Sequence, residues 1–162
     1  MKKKNNKKLQ KKIIWFTGIS GVGKTTLSNV LYNKLKKKYK VKQIDGDIFR
    51  KKNKIKRIFT KKNIISNNYK IINFIKKILN KYDFILVSVI SPLKKTRIFS
   101  KKQFNKDYYE IYVKCKIKTL NKRDTKGLYA AADNGIINNL IGYSKTNPYD
   151  EPINADIVIE TG

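Results

Sequence analysis

Three features of the chain predict an α/β fold with a mostly parallel central sheet of about five strands, helices on both faces and a C-terminal lid segment. Short apolar runs alternate with segments of helical period along its 162 residues, a length that suits one domain. Phe84 to Val89 is almost unbroken in apolar character, as in a strand buried on both faces. A glycine-rich turn joins the first apolar run to the first helical segment. The expected organisation is a basic tail over residues 1–12 and a single domain over 13–162, with the lid over about 124–151.

Ile13 to Thr17 is β-rich, ends at Gly18 and reads as the first strand. Leu27, Val30, Leu31 and Leu35 recur at helical spacing and place a helix from Thr25 to Tyr39. Val41 to Ile44 forms a second strand ending at Asp45, and the basic stretch Lys51 to Lys62 has no clear period. Ile71, Ile72, Phe74, Ile75, Ile78 and Leu79 share a helical face whose N-cap is expected at Ser66 or Asn67. After the Phe84–Val89 strand, Pro92 introduces a helix from Leu93 to Phe104; Tyr109 to Val113 is a strand and Ile117 to Arg123 a short helix. Asp124 to Glu151 is polar and glycine-bearing with no sustained period, and Ile157 to Ile159 is the last strand.

Composition removes several classes. No run approaches the roughly 20 apolar residues that cross a bilayer, so no membrane association is expected. The basic N-terminus lacks the apolar core of a secretory leader, and the location is read as cytoplasmic. With no histidine and the single Cys115, neither an internal disulfide nor a zinc ligand set can form. The formal charge of +28 invites a polyanion as partner. Only four of the 39 basic residues are arginine, however, and Lys, Asn and Ile together fill 76 of 162 positions, a bias that A- and T-rich codons would produce on their own. Nucleic-acid readers rely on the planar fork of arginine, and nucleic acid is therefore an unfavoured partner.

Acids are more telling because they are scarce: from Met1 to Tyr82 the only carboxylates are Asp45 and Asp47, among 26 basic residues. Gly18-Ile19-Ser20-Gly21-Val22-Gly23-Lys24-Thr25, followed by Thr26, fits the G-x-x-x-x-G-K-[ST] phosphate loop and lies between a strand and a helix, as that chemistry requires. The backbone N–H groups would cradle phosphates of ATP, Lys24 would reach the β- and γ-phosphates, and the Thr25 hydroxyl would ligate Mg²⁺. The fold class thereby becomes a P-loop NTPase fold. Asp45-Gly46-Asp47 stands at the carboxyl end of the second strand, where ligands bind in open α/β sheets. Asp47 is placed to hold Mg²⁺ or to accept the proton of an attacking hydroxyl, and Arg50, three residues on, to face an anion. Asn121-Lys122-Arg123-Asp124 matches a guanine-reading string, but the switch elements of a GTPase are missing.

Together, Ile14 to Thr26, Asp45-Gly46-Asp47 with Arg50, Ile90-Ser91-Pro92, Arg123-Asp124 with Lys126-Gly127-Leu128-Tyr129, Asn147-Pro148-Tyr149 and Ala155 to Val158 resemble the adenylylsulfate kinase family in order and spacing. The resemblance covers about Ile13 to Thr161. It implies transfer of the ATP γ-phosphoryl group to the 3′-hydroxyl of adenosine 5′-phosphosulfate (adenylyl sulfate), with Mg²⁺, giving 3′-phosphoadenylyl sulfate (PAPS) and ADP in sulfate assimilation. By motif position it assigns catalysis to Lys24, Asp47 and Ser91, the last falling where the family has a phosphoserine. It assigns the acceptor to Asp45, Asp47, Arg50, Phe59, Asn67, Ile90, Ser91, Lys126, Gly127 and Leu128, and it makes a homodimer reasonable. Departures are visible: Ile64 replaces an arginine, Leu140 a phenylalanine that stacks on the acceptor adenine, and Asn138, Ala130 and Ala131 replace lysines. Another small-molecule kinase of the same fold, or less favourably a lysine-rich nucleic-acid binder, are the competing readings.

Overall fold

A computed structural model describes residues 11–55 and 60–162. The basic tail up to residue 10 and the acceptor candidate Phe59 lie outside the described residues. In chain order the elements are β1 (Lys12–Thr17), α1 (Lys24–Leu35), β2 (Val41–Asp45), α2 (Gly46–Lys52), α3 (Lys61–Ile78), β3 (Phe84–Ser88), α4 (Lys94–Phe104), β4 (Tyr108–Lys114), α5 (Ile117–Arg123), α6 (Leu128–Asp133) and β5 (Ile157–Glu160). Short 3₁₀ turns precede β3 and β4. The five strands pair in the order β2-β3-β1-β4-β5, every pair parallel, which bears out the predicted sheet.

Alternation along β1 separates two apolar layers. Ile13 and Trp15 face a core shared with Ile71, Ile72 and Ile75 of α3, Phe104 of α4, and Ile85 and Val87 of β3. Phe16 points the other way, to Val22, Ile111, Val113, Leu120, Leu128, Tyr129 and Leu140, with Leu27 and Leu31 of α1 packed beside them. Helices thus cover both faces. Because β1 lies between β3 and β4, its carboxyl end and the loop beyond it occupy the middle of the sheet edge.

Several boundaries differ from expectation. α3 begins at Lys61, capped by Thr60, whose side chain accepts from Asn63 N; Ser66 and Asn67 lie inside the helix rather than at its cap. The early start was hidden because Lys61, Lys62 and Asn63 add polar residues ahead of the apolar face. α2 was not anticipated: seven residues are too few to show a period, and its start is fixed by Asp45, whose Oδ1 accepts from Asp47 N and Ile48 N. α1 stops at Leu35 instead of Tyr39. Within the polar Asp124–Glu151 segment, α6 starts after Gly127, and Asp124 in the preceding turn satisfies its first N–H groups, accepting from Leu128 N and Ala130 N.

Candidate active site

One cavity of about 440 Å³ opens at the carboxyl edge of the sheet. Its wall joins Ser20 to Leu27 with Asp45, Gly46, Asp47 and Arg50, then Ser88, Val89 and Ile90, and finally Arg123, Thr125, Lys126 and Thr161. Motifs separated by more than a hundred residues therefore share one space. The parallel order explains it, since β1, β2 and β3 all end on the same side.

The phosphate loop leaves β1 through Gly18, where φ is +143° and an added Cβ would lie 2.1 Å from Val113 O, so only glycine fits. Lys24 folds back over the loop, its Nζ donating to Gly18 O at 2.8 Å and Ile19 O at 2.6 Å. Gly18 and Ile19 thus serve through their carbonyls rather than as cavity wall. Burial, reinforced by the nearby positive Lys126, lowers the Lys24 pKa to about 7.

On the facing wall the Thr25 hydroxyl donates to Asp45 Oδ2 at 2.8 Å, while Asp45 Oδ1 caps α2. Asp45 thereby ties the phosphate loop to the helix that carries Asp47 and Arg50. Asp47 pairs with Arg50 one helical turn away and with Lys126, whose Nζ lies 2.6 Å from Asp47 Oδ2. The oxygens of Thr25, Asp45 and Asp47 are the hard donors that Mg²⁺ takes together with phosphate oxygens, so the residues present fit that ion. Among the described residues no cluster of three or more His, Cys, Asp or Glu side chains forms an all-protein metal cage.

Other predicted residues lie behind the wall. Ser91 is 1% exposed and does not line the cavity; its Oγ accepts from Trp15 Nε1 at 2.9 Å and donates to Asn68 Oδ1 at 2.7 Å. The structure does not bring this hydroxyl to the cavity wall, because the Trp15 indole and the Asn68 amide claim the oxygen. Asn67 is buried next door, its Oδ1 left without a hydrogen-bond partner. Gly127 takes a positive φ ahead of α6, and Leu128 packs into the core beside Tyr129, so neither lines the cavity. Ile90 does line it.

Of the departures from the family pattern, Ile64 and Leu140 are buried, Leu140 in the core cluster around Phe16, whereas Ala130 and Asn138 are exposed and Ala131 is half-buried. Lys24, Arg50, Arg123 and Lys126 are the cations on the cavity wall. Sequence reasoning had given Arg123 and Thr161 no role. Arg123 Nη1 donates to Thr161 O at 3.4 Å, joining the end of α5 to the residue after β5. The contact has no local sequence signal, since β5 meets α5 only through the fold.

Comparison with known proteins agrees with this geometry. The family model described as adenylylsulphate kinase matches residues 10–160. A probable adenylyl-sulfate kinase of Archaeoglobus fulgidus is 36% identical over 150 residues, spanning 92% of this chain and 95% of its own. The adenylyl-sulfate kinase of Halothermothrix orenii is 39% identical, covering 91% and 79%. Among solved structures, the APS kinase CysC of Mycobacterium tuberculosis in complex with AMPPNP and APS superposes with a TM-score of 0.82 at 27% identity, over 93% of this chain and 88% of that one. A gluconokinase from Sinorhizobium meliloti, 13% identical with a TM-score of 0.61, shares the fold alone. With a match over nearly all its length and relatives above 30% identity, this chain belongs to the adenylylsulphate kinase family.

Proposed function

We propose that the protein is an ATP-dependent adenylylsulfate kinase, and the observation that carries this is the single cavity shared by the phosphate loop, Asp47, Arg50, Ile90 and Lys126. It transfers the γ-phosphoryl group of ATP to the 3′-hydroxyl of adenosine 5′-phosphosulfate. The attacking oxygen forms a bond to the γ-phosphorus, the bond to the β,γ-bridging oxygen breaks, and ADP and 3′-phosphoadenylyl sulfate leave.

In this reading Asp47 accepts the proton of the 3′-hydroxyl, since it stands on the cavity wall just past the cap of α2, beside Arg50 and Lys126. Lys24 turns from the loop carbonyls to the β- and γ-phosphates, and Ser20 to Thr26 hold the triphosphate through backbone donors and the start of α1. Thr25, Asp45 and Asp47 would hold Mg²⁺, which when bound neutralises phosphate charge. Arg50 and Lys126 bind the acceptor anion, and Ile90 lies along it. Asn67, with its buried open oxygen, is assigned to the acceptor by motif position, as is Phe59. The segment beginning at Lys126 acts as a lid that limits hydrolysis of ATP by water. Direct transfer needs no covalent step at Ser91.

A cytoplasmic location is proposed with this activity; no helix among the described residues is long and apolar enough to cross a membrane. A homodimer is proposed on the same footing, supported by the exposed Ile157 and Val158 of the edge strand β5 and read by sedimentation.

The test is ADP release in the presence of Mg²⁺, ATP and candidate acceptors. Adenylyl sulfate should stimulate release strongly. Stimulation by another small hydroxyl compound but not by adenylyl sulfate would overturn the reading, and tight nucleic-acid binding at physiological salt, indifferent to Lys24→Ala, would favour a binder.

A further inference from the structure

Behind the catalytic cavity lies a buried polar cluster centred on Arg97 of α4, which is 4% exposed. Its Nη1 donates to the backbone carbonyl of Ser91 at 2.8 Å. Its Nε stands 3.1 Å from Glu110 Oε1 of β4, an ion-pair contact off the line of a hydrogen bond. Its guanidinium carbon lies 5.7 Å from the centre of the Tyr149 ring, within cation–π range. Tyr149 in turn stacks on Tyr112, with ring centres 6.0 Å apart, and its hydroxyl is 2.8 Å from Thr17 Oγ1 at the root of the phosphate loop.

The lid's far end is fastened at the same place. Asp150 N donates to Pro92 O at 2.8 Å, and Lys94 N donates to Asp150 Oδ2 at 2.9 Å. Arg97 therefore sits beneath the junction of the Ile90-Ser91-Pro92 turn and the Asn147–Asp150 stretch. From this geometry we infer that Arg97 is a positioning residue for the acceptor: it holds the Ser91 carbonyl and the Tyr149 ring, and through them Ile90 on the cavity wall and the anchored end of the lid.

Two observations favour positioning over plain stability. A buried ion pair gains little net energy once both charges have lost water, and apolar replacement of the pair is often neutral. This one is loosely satisfied as well, with Glu110 Oε1 and the neighbouring Tyr108 hydroxyl buried without hydrogen bonds. The effect should fall on the acceptor, because Thr17 is still held in the sheet by its pairing with Tyr112 of β4, whereas Ser91 lies beyond the last paired residue of β3. Lysine cannot substitute, as it lacks the fork that meets the carbonyl and the carboxylate together.

The inference rests on adenylyl sulfate being the acceptor, and its test separates the two. Arg97→Lys and the paired Arg97→Met/Glu110→Met variant are compared with wild type for thermal stability, for KM of each substrate, and for amide exchange at Asp150. Arg97→Lys should raise the adenylyl sulfate KM about tenfold while the ATP KM stays within about twofold, as expected for loss of an oriented, charge-assisted contact. Exchange at Asp150 should quicken about tenfold. The paired variant, with no stranded charge, should regain most of the thermal stability but not the acceptor KM. Recovery of the acceptor KM along with stability, an equal rise in the ATP KM, or unchanged exchange at Asp150 would overturn the positioning role. If wild type itself ignores adenylyl sulfate, the proposed activity fails, and the exchange measurement still decides whether Arg97 anchors the lid.

Discussion

Lys126 and Asp47, 79 residues apart in sequence, meet as an ion pair with Nζ 2.6 Å from Oδ2, so the segment that follows α5 reaches across to the start of α2. Both side chains are nearly half exposed, and such a pair contributes only about 0–1 kcal/mol to stability. Its importance is to the reaction. Lys126→Ala should leave the melting temperature unchanged and raise the adenylyl sulfate KM roughly tenfold, the size of one lost charge-assisted contact. Asp47→Asn should abolish turnover, because the amide cannot take the proton. Steady-state kinetics checks both, and wild-type rates from Asp47→Asn would remove it from the base role.

Lys24 gives a prediction with a definite sign. Its pKa falls from 10.5 to about 7, burial being the larger cause and Lys126 the next. At pH 8, without nucleotide, Lys24 is therefore largely neutral, and a bound triphosphate favours the charged form. Nucleotide binding should take up close to one proton at pH 8 and much less at pH 6, where the amine is already protonated. Calorimetric binding heats in buffers of different ionisation enthalpy measure the uptake; heats independent of buffer at pH 8 would contradict it. For folding, the native state binds fewer protons than the unfolded chain between about pH 7 and 10.5, so this group alone makes stability rise with pH across that window. Lys24→Met should remove that slope and abolish turnover.

Ser91 is spoken for by Trp15 and Asn68, which leaves its oxygen no path to a phosphoryl group without repacking. Ser91→Ala should therefore keep turnover within about threefold of wild type. The melting temperature should drop, because the Trp15 N–H loses a buried partner at about 1–3 kcal/mol. Phosphate labelling of the wild-type protein under turnover should find no acid-stable label at Ser91. Loss of turnover in a folded Ser91→Ala protein would restore the covalent role.

Legibility in the sequence followed how local each signal was. Glycine spacing before Lys24 fixed the phosphate loop, and runs such as Phe84 to Val89 fixed the strands, because both are set by near neighbours. α2 escaped because its cap, Asp45, also carries a functional motif and its seven residues show no period. Ser91 was found by its motif, but the direction of its hydroxyl depends on Trp15, which comes from the other core strand. Arg97 had no signal at all: among the lysines of α4 it reads as one more surface charge, and only Glu110 on β4 makes it an interior residue. Arg123 and Thr161 meet through the sheet order alone.

Gly142 and Gly135, in the segment proposed as a lid, separate backbone strain from contact with the phosphate loop. Gly142 has φ +75°, and a Cβ there would lie 2.4 Å from Ile19 Cγ2; Gly135 has φ +69° with nothing within 4 Å. Alanine at either position strains the backbone by about 1–2 kcal/mol. Only at Gly142 does it also push Ile19, whose carbonyl accepts from Lys24 Nζ. Gly135→Ala should therefore lower the melting temperature slightly and leave the ATP KM unchanged. Gly142→Ala should lower it further and raise the ATP KM several-fold, since Ile19 cannot yield without moving the loop that holds the triphosphate. Equal ATP KM values in the two variants, measured with adenylyl sulfate saturating, would show that the lid's packing on Ile19 does not set the shape of the phosphate loop.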